Sequence, residues 1–324
     1  TPPHVLSSAA SDVYKRQGIM KALVTGGAGF IGSHIVDRLL ADGHEVTVLD
    51  DFSTGHKSNL AQNARLEIVE GDVRDFDTVN RCAQNADWVF HKAAVASVPK
   101  TVNDPVGSSA VNYQGTLHVL EAARRNKASR VVFASSAAIY GDEPTLPKVE
   151  TMLPVTLSPY AVDKLASEYA CGMYTRLYGL DAVSLRYFNV YGPRQDPTSP
   201  YSGVISIFVD KLKQGDTPVI YGDGEQTRDF VFVSDVVEAN MQAVYQDAAV
   251  GQAINIATGK KISLNQLLQT LCAIRQLEFR ADYQDPREGD IKASYANVDK
   301  AQTLLGWRSN ISLEEGLREL TEIK

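Results

Sequence analysis

The chain has 324 residues, a formal net charge of −7, 44% hydrophobic residues and 22% charged residues. It is long enough for one large α/β domain with a second lobe, and its acidic balance argues against nucleic acid or an anionic membrane as the main partner. Cys82, Cys171 and Cys272 form no C-x-x-C and the six histidines no H-x-x-x-H, so no metal, no disulfide framework and a reducing, cytoplasmic setting are expected.

Residues 1–19 are polar and aperiodic, lack the apolar stretch of a signal peptide, and read as a non-native or disordered leader with Met20 as the native start. No apolar run approaches the ~18 residues of a membrane span. Lys21–Thr25 predicts a strand, Gly26-Gly27-Ala28-Gly29-Phe30-Ile31-Gly32 a turn, and Ile35, Val36, Leu39 and Leu40 a helix ending at Gly43. Gly27, Gly29 and Gly32 satisfy G-x-G-x-x-G, and Gly26, Gly29 and Gly32 a spacing of three. The missing side chains let the backbone approach a pyrophosphate, whose charge the helix start would meet. Glu45–Leu49 is the next strand, and Asp50 follows Gly32 by 18 residues, where a carboxylate binds a ribose diol and repels a 2′-phosphate. That favours NAD over NADP; the structural alternative is an Asp50 that caps the following turn.

The alternation continues through Leu66–Val69 with Gly71-Asp72-Val73, Trp88–Phe90 with His91-Lys92-Ala93-Ala94, a helix near Ser109–Asn126, and the strand Arg130–Ala134. Strands separated by helices predict a doubly wound parallel (Rossmann) sheet, with ligands at the carboxyl ends of its strands. Asp50, Asp72, Ala93, Ser135 and Ser136 are expected to share one crevice there. Ser136 suits either a hydrogen bond to a reacting oxygen or a turn cap. In Ser158-Pro159-Tyr160-Ala161-Val162-Asp163-Lys164, Pro159 suits the first turn of a helix and the spacing of four puts the Tyr160 phenol and Lys164 ammonium on one face. A cation there is expected to lower the phenol's pKa and make Tyr160 a usable base. After the strand Ala182–Arg186, Pro193, Pro197 and Pro200 mark a loop. Residues 20–186 therefore read as the nucleotide-binding domain and 187–324 as a smaller mixed α/β lobe, with residues 230–257 packing back on the first.

These features together resemble the extended short-chain dehydrogenase/reductase superfamily, and within it the nucleotide-sugar 4-epimerases. The likeness runs from Met20 nearly to the C-terminus through five motifs in order: residues 25–32, 134–141, 158–164, 185–192 and 221–230. It implies bound NAD and a UDP-sugar substrate. Tyr160 would take the proton of the sugar 4-hydroxyl while hydride leaves C4; Ser136 would hydrogen-bond that oxygen, and Lys164 would hold the nicotinamide ribose. The 4-keto sugar would turn and take the hydride back on its other face.

NAD contacts implied by the resemblance are Gly26, Gly29, Phe30, Ile31 and Gly32; Asp50, Asp51, Phe52, Ser53, Thr54 and Gly55; Asp72 and Val73; Lys92, Ala93, Ala94 and Ala96; Asn112, Ser136, Tyr160, Lys164 and Phe188. Substrate contacts are Ser97, Val98, Ser136 and Tyr160, then Asn189, Gly203, Val204, Val219 and Tyr221, and finally Arg228, Arg287, Asp290 and Ser294. Arg228 and Arg287 would grip the diphosphate. Sister 4,6-dehydratases and decarboxylases carry acids in the segment matching Ser135–Ile139; alanines here disfavour elimination, and a non-catalytic NAD-binding regulator would not need the full set. Ser294 stands where epimerases restricted to plain hexoses carry tyrosine, which implies room for UDP-N-acetylhexosamines. A homodimer pairing helices near 109–126 and 160–177 is the implied assembly.

Overall fold

The structure, a computed structural model, describes residues 18–197 and 203–322; residues 1–17 of the expected leader, and Pro200, lie outside the described residues. The first half alternates as the periodicity requires. β1 (Lys21–Thr25) leads to α1 (Phe30–Ala41), β2 (Glu45–Asp50) to β3 (Leu66–Glu70), then α2 (Phe76–Cys82) and β4 (Trp88–His91). The helix expected near Ser109–Asn126 is preceded by α3 (Val98–Asn103) and starts earlier, as α4 (Pro105–Ser109), running on through a π turn over Ala110–Gln114 into α5 (Gly115–Arg125). Asp104 separates α3 from α4, since its Oδ1 accepts the Gly107 N–H at 2.9 Å and caps a new helix that begins at Pro105. β5 (Arg130–Ser136), α6 (Pro159–Tyr178) and β6 (Ala182–Tyr187) follow.

Downstream lie β7 (Asn189–Tyr191), α7 (Val204–Lys213), β8 (Val219–Tyr221), β9 (Thr227–Arg228), β10 (Phe230–Phe232), α8 (Val233–Tyr245), β11 (Ala253–Ile256), β12 (Ile262–Ser263), α9 (Leu264–Ile274), β13 (Asp282–Gln284), α10 (Asp299–Leu305) and α11 (Leu313–Glu322). Seven strands form one sheet in the order β11-β6-β5-β4-β1-β2-β3, every pair parallel. The order reverses between β1 and β4, the switch point where such sheets open a crevice. β11 thus returns to the sheet beside β6, as expected. β10 does not join it and instead pairs with β7.

Alternate residues of the same strands feed two cores. Ala22, Val24, Phe90, Val132 and Val183 pack with Ile35 and Leu39 of α1 and Val236 of α8; Leu23, Val89, Val131 and Phe133 pack with Val119 and Leu120 of α5 and Ala170 and Tyr174 of α6. A third core, around Phe208, Ile220, Phe230, Leu267 and Leu317, builds the smaller lobe. No helix among the described residues is long and apolar enough to cross a membrane.

Candidate active site

The glycine turn is folded tightly against the strand ends. Gly26 has φ +66°, and a side chain there would also press on the Ala93 nitrogen and the Lys92 carbonyl carbon. A Cβ on Gly32 would collide with the Gly26 carbonyl oxygen. Gly29 is the N-cap of α1 and supplies no side-chain cap, so the first amides of α1 keep their capacity for an anion. Asp50 caps the following turn and stays open to a diol. Its Oδ1 accepts the Phe52 N–H and its Oδ2 the Ala28 N–H, both at 2.9 Å, and each oxygen retains a lone pair for a diol. Burial raises its pKa against those two bonds. At the end of β3, Arg74 clasps the Asp72 carboxylate at 2.6 Å and holds its pKa below the usual range. Residues 51–55 wrap the turn: Asp51 fixes Ser53, Lys57 lies 5.2 Å over the Phe52 ring, and the His56 N–H reaches the Ala28 carbonyl. Thr54 is exposed.

The catalytic candidates meet across β5 and α6. Ser158 caps α6 by accepting the Ala161 N–H, Pro159 occupies the first turn, and the Tyr160 N–H reaches Thr101 Oγ1 at 3.2 Å. Ser136 ends β5, paired in register with Tyr187. Its hydroxyl caps the turn by accepting the Ala138 N–H at 3.1 Å, and it stands close enough to the Tyr160 phenol to lower that group's pKa. Lys164 is 5% exposed and donates to the Ala134 carbonyl at 2.6 Å, with Nζ 5.5 Å from the Tyr160 ring centre. Burial draws its pKa down to about 8. The expectation that Lys164 lowers the tyrosine pKa is not met here. Burial raises the Tyr160 pKa and only Ser136 opposes it, because the ammonium is directed at Ala134 and the phenol is poorly hydrated.

Other expected cofactor residues surround this pair. Val73 is buried, and its carbonyl pairs with His118. Asn112 clamps Val95 through both its amide atoms, at 2.7 and 3.1 Å, fixing the loop that carries Ala94 and Ala96. Ser97 caps α3, which begins at Val98, and Phe188 is buried beside Tyr140.

The expected substrate residues from Asn189 onward lie in the smaller lobe. Arg228 pairs with Asp290 at 2.9 Å, and the Arg287 guanidinium lies 4.1 Å from the centre of the Tyr221 ring. The Asn189 N–H bonds the Asp229 carbonyl, next to Arg228, and the Ser294 N–H bonds the Thr227 carbonyl. Val219 and Tyr221 lie on β8, and Gly203 and Val204 open α7, which shares its core with β8.

Sequence reasoning did not single out Glu168. It sits one turn beyond Lys164 and receives Ser135 Oγ at 2.6 Å and Arg186 through Nε and Nη2 at 2.7 and 2.8 Å. The signal was the repeated spacing of four, Tyr160, Lys164, Glu168, which puts all three on one face.

Uncapped amides, a turn that has no room for a Cβ at Gly26 or Gly32 and a buried carboxylate beside it fit a dinucleotide. Residues 22–257 match the family described as NAD dependent epimerase/dehydratase. The chain belongs to this family. Its cofactor is NAD, as the spacing to Asp50 indicated. The chain is 42% identical to the UDP-glucose 4-epimerase of Mycolicibacterium smegmatis, over 94% of this chain and 98% of that one. Among solved structures it is similar to the UDP-glucose 4-epimerase of Thermotoga maritima with UDP-glucose, at 39% identity and TM-score 0.89, covering 94% and 98% of the two chains. It is equally similar to a UDP-N-acetylglucosamine 4-epimerase of Methanobrevibacter ruminantium in complex with UDP-N-acetylmuramic acid, at 39% identity and TM-score 0.90, covering 94% and 97%.

Proposed function

We propose that this chain is an NAD-dependent 4-epimerase of UDP-hexoses. The observation that carries the reading is the Ser136 hydroxyl placed beside the Tyr160 phenol at the end of β5, followed by Ala137 and Ala138. One phenol and one hydroxyl manage one proton on one oxygen; the alanines offer no second acid for elimination or decarboxylation. Bound NAD supplies a reversible hydride acceptor at C4 and, when oxidised, a positive charge that favours the phenolate. Tyr160 then takes the 4-hydroxyl proton and later returns it, Ser136 orients that oxygen, and Lys164 binds the cofactor ribose. Arg228 and Arg287 would hold the diphosphate while the 4-keto sugar turns. Residues 20–186 would carry the cofactor and 187–324 the UDP-sugar.

Incubating the purified protein with UDP-glucose or UDP-N-acetylglucosamine, without added NAD, tests this by anomeric NMR. Tyr160→Phe is expected to lower turnover about 10²–10⁴-fold while both ligands still bind; an unchanged rate would remove Tyr160 from the mechanism. Ser294 leaves room for an acetamido group, so Ser294→Tyr should abolish turnover of the acetylated sugar and spare the plain one. Equal survival of both activities would overturn the gate. The apolar face of α6, with Tyr169 62% and Leu177 69% exposed, supports a homodimer through α5 and α6, to be checked by light scattering. The composition supports a cytoplasmic setting, checked by fractionation.

A further inference from the structure

Two lysines reach the cofactor end of the sheet, from opposite faces. Lys164 comes from α6, its Nζ 5.0 Å from the centre of the Phe133 ring in the core that α5 and α6 cover. Lys92 comes from the end of β4, its Nζ 5.4 Å from the centre of the Tyr187 ring, in the core that α1 and α8 cover. Between them runs β5, which ends at Ser136. Asp50 and Asp72 mark the β2–β3 side of the glycine turn. The half of the dinucleotide that does not lie there crosses toward β4, β5 and β6, where both lysines stand.

The two amines are served differently. Lys164 has the charges of Asp163 and Glu168 to favour its protonated form. Lys92 donates to the Tyr187 hydroxyl at 2.9 Å, and Asn240 bonds that hydroxyl from behind at 2.8 Å. Among the described residues no carboxylate pairs with Lys92, and the nearby charge acting on it is the Lys164 ammonium, which together with burial lowers its pKa. A neutral amide could bond Tyr187 as well, so an amine here is a choice of charge. A dinucleotide bound in the crevice would bring a diphosphate whose negative charge favours the protonated amine.

We propose that Lys92 sets the redox balance of the bound nicotinamide. Its ammonium disfavours the oxidised ring, which is positively charged, relative to the reduced ring, which is neutral. The chemistry is otherwise unchanged: hydride passes from the sugar C4–H to the nicotinamide, the 4-hydroxyl proton passes to Tyr160, and Lys92 exchanges neither. It is a positioning residue that acts through its charge, and it holds the protein further toward reduced cofactor and keto sugar. The inference rests on NAD in the crevice, not on the identity of the sugar.

The test is a redox titration of NAD-loaded protein against a dye of known potential, without sugar, following the near-ultraviolet absorbance of reduced nicotinamide. Lys92→Met and Lys92→Gln are expected to shift the reduced-to-oxidised ratio about tenfold toward oxidised, about 30 mV for a two-electron couple, while Lys92→Arg stays near the unmodified protein. Ratios within twofold for both neutral variants, or an arginine variant shifted as far as they are, overturn the proposal. The glutamine variant keeps the bond to Tyr187 if methionine disturbs folding. Because no sugar is present, failure of epimerisation and failure of this shift are separate results.

Discussion

Replacing Glu168 with alanine should strip the support from beneath the catalytic helix. The carboxylate is 4% and its partner Arg186 7% exposed, so solvent screens little of their interaction. Removal leaves the guanidinium with the Tyr140 hydroxyl at 3.0 Å and the Glu150 carbonyl at 3.5 Å, and leaves Ser135 without its acceptor. Breaking one side of a buried pair costs roughly 3–5 kcal/mol, and the orphaned Ser135 hydroxyl adds about 1 kcal/mol. Glu168→Gln keeps an acceptor but no charge and should cost about 2 kcal/mol. Urea unfolding of each variant reads the stability. The steady-state constants should show kcat falling with little change in KM, because α6 holds Tyr160 whereas the proposed diphosphate contacts, Arg228 and Arg287, come from the other lobe. The double variant Glu168→Leu with Arg186→Met should recover most of the loss. An alanine variant within about 1 kcal/mol of the unmodified protein, or a double variant as weak as the single, would refute the reasoning.

Acid should expose a second buried group. His91 is 2% exposed between Thr25 and Thr116, and burial, then the Lys164 and Lys92 ammoniums, lower its pKa to about 3. Below an unfolded value near 6.5 the unfolded chain binds the extra proton, so stability is fully present above pH ~6.5 and is lost as pH falls toward 3, by about 2 kcal/mol at pH 5; His91→Gln should flatten that part of the acid-unfolding curve, and an identical slope counts against it. Gly32→Ala pushes a Cβ into the Gly26 carbonyl and should weaken NAD retention tenfold or more, about 1.4 kcal/mol, measured as cofactor content after gel filtration; full retention would show that the turn can widen.

Local periodicity made the nucleotide half legible. β1 has the bounds its apolar run suggested, Asp50 and Ser136 end their strands, and Ser158, Pro159 and Gly179 set the ends of the Tyr160 helix through capping chemistry that depends on near neighbours. What the sequence hid depends on contacts distant along the chain. The short helix α3, and the Asp104 cap that starts α4 ahead of the expected Ser109, carry no periodic apolar signal. β10 pairs with β7, although its apolar residues would equally suit the central sheet. The raised pKa of Tyr160 follows from the depth of the phenol and the direction of the Lys164 ammonium, neither of which a spacing of four can report.

The two ends of the site differ in how firmly their side chains are held, and the proposed chemistry requires that difference. Ser136, Tyr160 and Lys164 are fixed by a strand end, a capped helix and a carbonyl bond, so the proton and hydride positions cannot drift. Arg228 and Arg287 rest on partners they can leave cheaply. Asp290 is about one-third exposed, so exchanging it for a diphosphate forfeits an ion pair worth at most about 1 kcal/mol. Arg287 forfeits one exposed stacking contact of about 0.5–1 kcal/mol. Between these ends, Ala137 and Ala138 have side chains with no hydrogen-bonding groups. A hexose anchored through its diphosphate and touched by few polar groups could turn after oxidation without breaking a strong bond, whereas acids in place of those alanines would pin the ring and admit a second proton transfer. A loosely held ring is therefore what a 4-epimerase needs.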